Sequence, residues 1–277
     1  QRLHDILLKL VSEDPCLRVE HVAATNESVV YGLGELHLRT LLDRLTEVHR
    51  CEVSTRPPRI AYRETITAPA EGHHRHKKQT GGAGQFGEVF LRVEPLPRGA
   101  GFQFADEVKG GAIPGNFMPA VEKGVRLAME QGVVAGYPVV DLKVTVYDGK
   151  HHSVDSKEIA FVTAGKKALM AAVQAARPVV LEPIVNVEIT APEQDMGDIT
   201  GDLAARRGQV SGTQSGAAGS LTVLAQAPLS ELASYQLRLN SLTGGQGRYT
   251  LAFNHYEPVP PAVQAQLAAQ YRPREES

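Results

Sequence analysis

The sequence predicts the α+β fold class in three domains, and three observations lead to this prediction. The chain has 277 residues, too long for one small core because domains cluster near about 100 to 150 residues. Periodic patterns follow the order α-β-β-α-β before Pro57 and β-α-β-β-α-β after Glu182. Strands and two long helices lie between them. We therefore place domains at 1–57, 58–181 and 182–258, followed by a closing helix and tail at 259–277.

Composition excludes several classes of protein. The formal net charge of −2 argues against a uniformly basic protein, so any nucleic-acid binding requires a local patch. Cys16 and Cys51 are isolated, which indicates neither a disulfide framework nor a zinc site. No apolar run reaches the roughly 20 residues that span a bilayer. We expect a cytoplasmic protein without a membrane segment, and a chain that opens at Gln1 within a helical pattern favours a piece of a longer protein.

The first domain is predicted to be a βαββαβ sandwich whose first strand is missing upstream. Leu3, Ile6, Leu7 and Leu10 recur at helical spacing, and Pro15 ends that helix. Turn residues separate the two strands that follow. The other elements are strands at 17–24 and 28–34, an amphipathic helix at 34–49 carrying Leu36, Leu38, Leu41, Leu42 and Leu45, and a strand at 51–55.

The middle domain begins after Pro57 and Pro58, because consecutive prolines continue neither a helix nor a sheet. Its last helix is predicted to open at Asp155 with Glu158 as the partner in a capping box, and to end before Pro178. The remaining elements are strands at 61–67, 88–95, 102–108 and 139–148, with a helix at 116–131.

The third domain repeats the plan of the first with all of its strands. Its first helix is predicted from Glu193 to Arg207, ended by Gly208. Asp195 and Asp198 at its start, and arginines at its end, complement the helix dipole. The other elements are strands at 184–190, 209–212, 221–226 and 248–258, a helix at 230–242 and the closing helix at 262–270.

A glycine loop in the middle domain raises the question of nucleotide binding. Gly82, Gly84 and Gly87 have the spacing G-x-G-x-x-G, but a dinucleotide loop must open a helix and this one leads into a strand. The lysine strand, H-R-D and D-F-G motifs of a kinase are absent from the sequence, as is a Walker loop. We expect a hairpin tip, where glycine permits positive φ and close backbone approach. A nucleotide-dependent enzyme remains the alternative from a different class.

Two cationic segments of the middle domain are predicted to form one surface. Residues 73–78 read His-His-Arg-His-Lys-Lys, and residues 150–152 read Lys-His-His in a turn. Positive side chains next to glycines, which have no side chain, would allow close approach to the phosphate backbone of a nucleic acid. One alternative is that these cations only face solvent. A second is a metal site at the histidines, but complementary Cys, Asp or Glu ligands do not accompany them. A third is a nucleophilic triad of His152, Ser153 and Asp155, but residues this close in one turn rarely face one another as a triad requires.

Ten motifs, in order along nearly the whole chain, resemble elongation factor G. The match covers the family's domains III, IV and V. The motifs are GLGELHL (32–38), RPPRIAYRETI (56–66), KKQTGGAGQFGEV (77–89), KGGAIPG (109–115), VEKGV (121–125), AGYPVVD (135–141), VDSKEIAF (154–161), LEPI (181–184), GDITGDLAARRG (197–208) and SLTGGQGRYT (241–250).

This resemblance implies two ferredoxin-like βαββαβ sandwiches, the first lacking its first strand, flanking a ribosomal-protein-like α+β domain. It implies that domain IV enters the decoding site of the small ribosomal subunit during translocation of transfer and messenger RNA. Ribosome protection and recycling, within the same superfamily, are the alternatives. The implied RNA-facing tip comprises Lys77, Lys78, Gly81, Gly82, Gly84, Gln85, Gly87, Lys150, His151, His152 and Asp155.

The resemblance also implies the other partners. The expected partners are both ribosomal subunits, ribosomal RNA and a GTPase domain of the same polypeptide, with the protein a monomer. No catalytic residue, metal or cofactor is expected in this chain, because GTP and magnesium belong to the GTPase domain of the parent protein. The implied contacts with that domain are Gly32, Gly34, Glu35 and His37, and those with the large subunit are Gly197, Asp198, Gly201, Asp202, Arg206, Arg207 and Gly208.

The second tip loop departs from the family pattern. The family commonly has Gly-Ser-Tyr-His-Asp-Val-Asp-Ser, whereas residues 149–156 read Gly-Lys-His-His-Ser-Val-Asp-Ser. One acid is absent, and Lys150 and His151 are additional. The departure favours a divergent elongation factor G-like paralogue, and it leaves the physiological step open.

Overall fold

The computed structural model describes residues 2–23, 25–78, 84–216 and 219–272. It divides into two compact units, residues 1–61 with 183–255 and residues 62–182 with 256–277. The mixture of helices and antiparallel strands confirms the predicted α+β class. The helices are α1 (Arg2–Glu13), α2 (Glu35–Glu47), α3 (Met118–Gln131), α4 (Glu158–Ala175), α5 (Met196–Ala205), α6 (Tyr235–Thr243) and α7 (Pro261–Gln270). The strands are β1 (Arg18–Val22), β2 (Glu27–Tyr31), β3 (Arg63–Ile66), β4 (Ala70–Lys78), β5 (Gln85–Pro95), β6 (Phe102–Asp106), β7 (Leu142–Lys150), β8 (Pro178–Pro192), β9 (Gln209–Ser215), β10 (Ser220–Pro228) and β11 (Arg248–Pro258).

The N-terminal domain packs α1 and α2 around a small apolar core. Leu10 and Leu45 are almost wholly buried there, and Val53 packs against the same cluster. β1 and β2 form an antiparallel pair. The predicted strand at 51–55 is wrong, because within the described residues the segment has no strand beside it to accept its backbone hydrogen bonds.

The middle domain has a four-stranded sheet in the order β4-β5-β7-β6. The capping box is wrong: α4 begins at Glu158, and its cap position, Lys157, makes no side-chain hydrogen bond. β4 contains the whole basic segment 73–78, which the sequence pattern did not assign to a strand. The Glu64 side chain on β3 is buried, and its carboxylate accepts backbone N–H groups of Val133, Val134, Ala135 and Tyr137.

The third domain has the strand order β11-β8-β10-β9, with α5 and α6 contributing Leu203 and Leu239 to its core. The first four residues of β8 pair with β3 instead. The helix α5 ends at Ala205, earlier than predicted, because Arg207 adopts a left-handed φ of 58°. Gly208 has a different role: a Cβ there would lie 2.7 Å from the Leu203 carbonyl oxygen.

Across the described ranges, no helix combines the length and the apolar character that crossing a membrane requires.

Candidate nucleic-acid interface

One end of the middle domain carries the two predicted tip loops. Lys77 and Lys78 end β4 and are exposed, and Gln85 begins β5. Lys150 ends β7, and His151 and His152 follow it, exposed, in the turn before α4. Gly81 and Gly82 lie outside the described residues.

Hydrogen bonds join the two loops. The Ser156 hydroxyl accepts from the His152 backbone N–H at 2.8 Å and donates to the Phe86 carbonyl at 3.0 Å. The Phe86 N–H donates to the Asp155 carbonyl at 2.9 Å. Residues about 70 positions apart in sequence therefore form one connected tip. The second loop also contacts another segment, because the His151 Nδ1–H donates to the carbonyl of Ala112 at 3.1 Å.

Two glycines of this tip lie in close contact with their neighbours. A Cβ at Gly84 would lie 2.8 Å from Cγ of Asp155, and one at Gly87 would lie 3.1 Å from the Ala160 backbone. Neither of these two glycines has a φ in the left-handed region, so the expectation of positive φ is wrong for both. Their value lies in close approach alone.

The His152 ring supports its own turn. Its Nδ1 accepts backbone N–H groups of Val154 at 3.3 Å and Asp155 at 3.2 Å. A nitrogen that accepts these bonds carries no hydrogen and cannot also donate to the Asp155 carboxylate, 3.4 Å away. The geometry therefore gives no support to a triad of His152, Ser153 and Asp155.

The basic strand β4 divides its side chains between two faces. His73 and Arg75 face Glu88, a buried carboxylate that His73 contacts at 2.8 Å and Arg75 at 3.2 Å. Burial acts to raise the pKa of Glu88, but hydrogen bonds from His73 and Arg75 outweigh burial and hold that pKa below its ordinary value. On the other face, burial and nearby Lys167 lower the pKa of His74. Part of the predicted cationic surface is therefore engaged inside the domain.

In the N-terminal domain, the predicted interface residues surround the start of α2. His37 accepts the Leu33 N–H at Nδ1 (3.1 Å), so its Nε2–H donates to Asp14 at 2.8 Å. Glu35 pairs with Arg39 on the exposed side, at 3.2 Å. Gly34 has a φ of 169°, which is extended backbone that any residue adopts.

Two leucines beside these residues are exposed, which sequence reasoning missed. Leu33 and Leu36 are 77% and 76% exposed. The prediction that Leu36 belongs to the apolar face of α2 is wrong, because Leu41 and Leu45 define that face and Leu36 lies well around the helix from both. A helical-wheel count from Leu41 would have found it. Gly32 precedes them, with Leu38 close beside it.

In the third domain, the predicted large-subunit residues fall into two groups. Gly197, Asp198 and Gly201 are exposed on one side of α5. The others serve the fold. Asp202 accepts hydrogen bonds from Arg206 and Arg238, both at 2.8 Å, Arg207 pairs with Glu231, and Gly208 packs beneath Leu203.

No group of three or more His, Cys, Asp or Glu side chains suited to a metal ion occurs in the part of the chain that the structure describes.

Three family models match consecutive parts of the chain. Elongation Factor G, domain III, matches residues 1–57; Elongation factor G, domain IV, matches 58–177; and Elongation factor G C-terminus matches 179–267. The chain belongs to the elongation factor G family. The RNA-facing roles of the tip residues remain predictions.

The relatives that this chain resembles are longer than the chain. It is 45% identical over 266 residues to an elongation factor G-like protein of Thermotoga maritima, covering 96% of this chain and 39% of the relative. It is 45% identical over 262 residues to elongation factor G of Aquifex pyrophilus, covering 94% and 37%. The crystal structure of ttk003000868 from Thermus thermophilus aligns with a TM-score of 0.80 at 42% identity, over 97% of this chain and 40% of that one. The chain thus spans about two fifths of these proteins.

Proposed function

We propose that this chain acts in translation as the ribosome-contacting part of an elongation factor G-type protein. The middle-domain tip enters the decoding site of the small subunit while transfer and messenger RNA move. The observation that carries this proposal is the connected tip, in which Ser156 joins two loops that expose Lys77, Lys78 and Lys150. The described part of the tip is joined by these bonds, and groups already held in place lose little conformational entropy when they bind RNA.

In this proposal, the N-terminal domain contacts a GTPase domain and the third domain contacts the large ribosomal subunit. The exposed leucines Leu33 and Leu36 offer an apolar contact to a GTPase domain, which supplies GTP and magnesium. His37 holds the loop that presents them, because both of its ring nitrogens are hydrogen-bonded. The exposed side of α5, with Gly197 and Gly201, faces the large subunit.

Ribosome association at increasing salt concentration tests the tip. Replacing Lys77, Lys78 and Lys150 by Ala is expected to weaken association and flatten its salt dependence, by about 0.7 to 0.9 log units in slope for each phosphate that a lysine no longer neutralises. Lys123→Ala is the matched control, since Lys123 is an exposed lysine on α3. A triple variant with the slope of the control would place the tip lysines on a merely solvated face.

Equilibrium binding of labelled GTP and ATP tests the alternative from a different class. The glycine loop joins two strands, and Gly84 is buried against Asp155, so we expect no tight nucleotide binding by this chain. Tight binding that is abolished in Gly84→Ala would contradict the proposal and favour a nucleotide-dependent enzyme.

A further inference from the structure

The sheet of the middle domain has one face covered by α4 and one face that carries polar and aromatic side chains. Gly72 and Gly87 mark the covered face, since a Cβ at either would meet the backbone of α4. Side chains alternate along a strand, so the neighbours of these glycines project to the opposite face. We call this opposite face, defined by His73, Arg75 and Lys77 of β4 with their partners on β5 and β7, the open face.

Aromatic rings lie side by side on the open face. His73 stacks on Phe90, its cross-strand partner, with ring centroids 4.0 Å apart and an angle of 19° between planes. Tyr147 on β7 lies 6.3 Å from Phe90. His73 is the outermost ring, because 46% of its side chain is exposed. Phe86 extends the row towards the tip, where it lies opposite Lys77.

Cations and acids both border these rings, and the exposed Glu71 and Asp148 lie beside Tyr147. Glu88 is paired with His73 and Arg75, and Glu107 with Arg92 at 2.6 Å. Arg92 also lies over the Tyr147 ring at 6.0 Å. Lys77 and Lys150 are exposed at the tip end of the same face. Arg75 and Arg92 are therefore already paired with carboxylates, and the exposed Lys77 and Lys150 are the cations that an anionic partner would meet on this face.

We propose that the open face binds single-stranded RNA, with unstacked bases on His73 and Tyr147 and phosphates at Lys77 and Lys150. Single strands splay their bases and stack them on aromatic side chains, whereas a duplex keeps its bases inside. The alternation of rings and cations across neighbouring strands matches the alternation of bases and phosphates in such a strand. This inference rests on the proposed function for its RNA partner, and it extends the contact surface from the tip lysines onto the aromatic rings of the sheet.

Binding of a labelled single-stranded oligouridine and of an RNA hairpin duplex to the whole chain tests the inference. Tyr147→Leu is expected to weaken oligouridine binding roughly 5- to 100-fold, because one stacking platform is removed. Tyr147→Phe keeps the ring and is expected to keep the affinity. His73→Gln removes the other ring while keeping a donor for Glu88, and the same weakening is expected. Lys123→Ala on α3 is the charge control, expected to bind as the parent chain does.

Three outcomes would overturn the inference: oligouridine binding unchanged in both Tyr147→Leu and His73→Gln, equal affinity for the hairpin and the single strand, or equal weakening by Lys123→Ala. Thermal unfolding of each variant is measured in parallel. His73→Gln decides the test where Tyr147→Leu unfolds early, since His73 is the more exposed ring. Ribosome association that depends on the tip lysines, together with unchanged oligouridine binding in His73→Gln, leaves the proposed function standing and removes only this inference.

Discussion

The N-terminal and third domains follow the same order of helices and strands but differ in their sheets. In the third domain, β8 lies between β11 and β10. In the N-terminal domain, the described residues contain only the pair β1 and β2. The segment 51–55 takes the place in the order that β11 takes in the third domain, yet it forms no strand.

The difference shows that a strand depends on its neighbour as much as on its own residues. The segment 51–55 has the alternation of a strand, and Val53 still packs against the core. Its backbone has no ladder to join, because the partner of the last strand in this order is the first strand, as β8 is for β11. Side-chain burial is therefore kept where backbone pairing is absent.

The largest expected effect on stability comes from replacing one buried leucine by alanine in the N-terminal domain and one in the third domain. Leu10 and Leu203 are both fully buried, and replacement by Ala costs about 2 to 5 kcal/mol of unfolding free energy. We expect Leu10→Ala to abolish amide protection across α1 and α2, since that core is smaller. Leu203→Ala is expected to lower protection in the third domain without abolishing it. Equal protection of β1 and β8 in the parent chain, measured by hydrogen exchange, would contradict the comparison.

A smaller effect is expected from one glycine in each domain. Gly208→Ala places a Cβ 2.7 Å from the Leu203 carbonyl and is expected to cost about 1 to 3 kcal/mol. Gly34→Ala is expected to stay within about 0.5 kcal/mol, because nothing lies within 4 Å and φ is extended. Thermal unfolding measures both variants. Reduced ribosome association by a stable Gly34→Ala protein would sharpen the interface role of this loop.

The smallest effect is expected from acid. A hydrogen bond from His37 is the main cause that lowers the pKa of Asp14, and one from the Arg59 backbone N–H does so for Glu27. A lowered folded pKa contributes stability above the ordinary values of 3.8 and 4.5, and this contribution disappears as pH falls below them. Glu88 and Asp202 of the other domains also have lowered pKa values, but the N-terminal core is smaller, so we expect its amides to lose protection first below about pH 4.5. Glu27→Gln should remove part of that dependence, and an unchanged profile would contradict it.

Most helices and strands were predictable because their apolar periodicity is local. The bounds of β11 agree with the predicted strand, and α1 and α7 lie within a residue or two of expectation. Glu64 shows what local patterns miss. A glutamate in a strand reads as a solvent-facing position, but its partners are four backbone N–H groups about 70 residues away. Sequence spacing carries no information about such a contact.

The candidate site was predictable in its parts but not in its construction. Their positive charge alone was enough to predict that the segments 73–78 and 150–152 belong to one surface. The bond between Ser156 and Phe86 was not predictable, since serine in a turn is common and its partner is a backbone carbonyl. Asp155 read as a helix cap, whereas its side chain fills the space beside Gly84 and its carbonyl accepts from Phe86.

The contact between Gly84 and Asp155 has a consequence for transplanting loops between relatives. A side chain at position 84 would displace the Asp155 carboxylate. Neither loop can therefore be exchanged without regard to the other. An engineer who wishes to exchange the Lys-His-His sequence for that of another family member would have to move both loops together, with Ser156 as part of the transferred set.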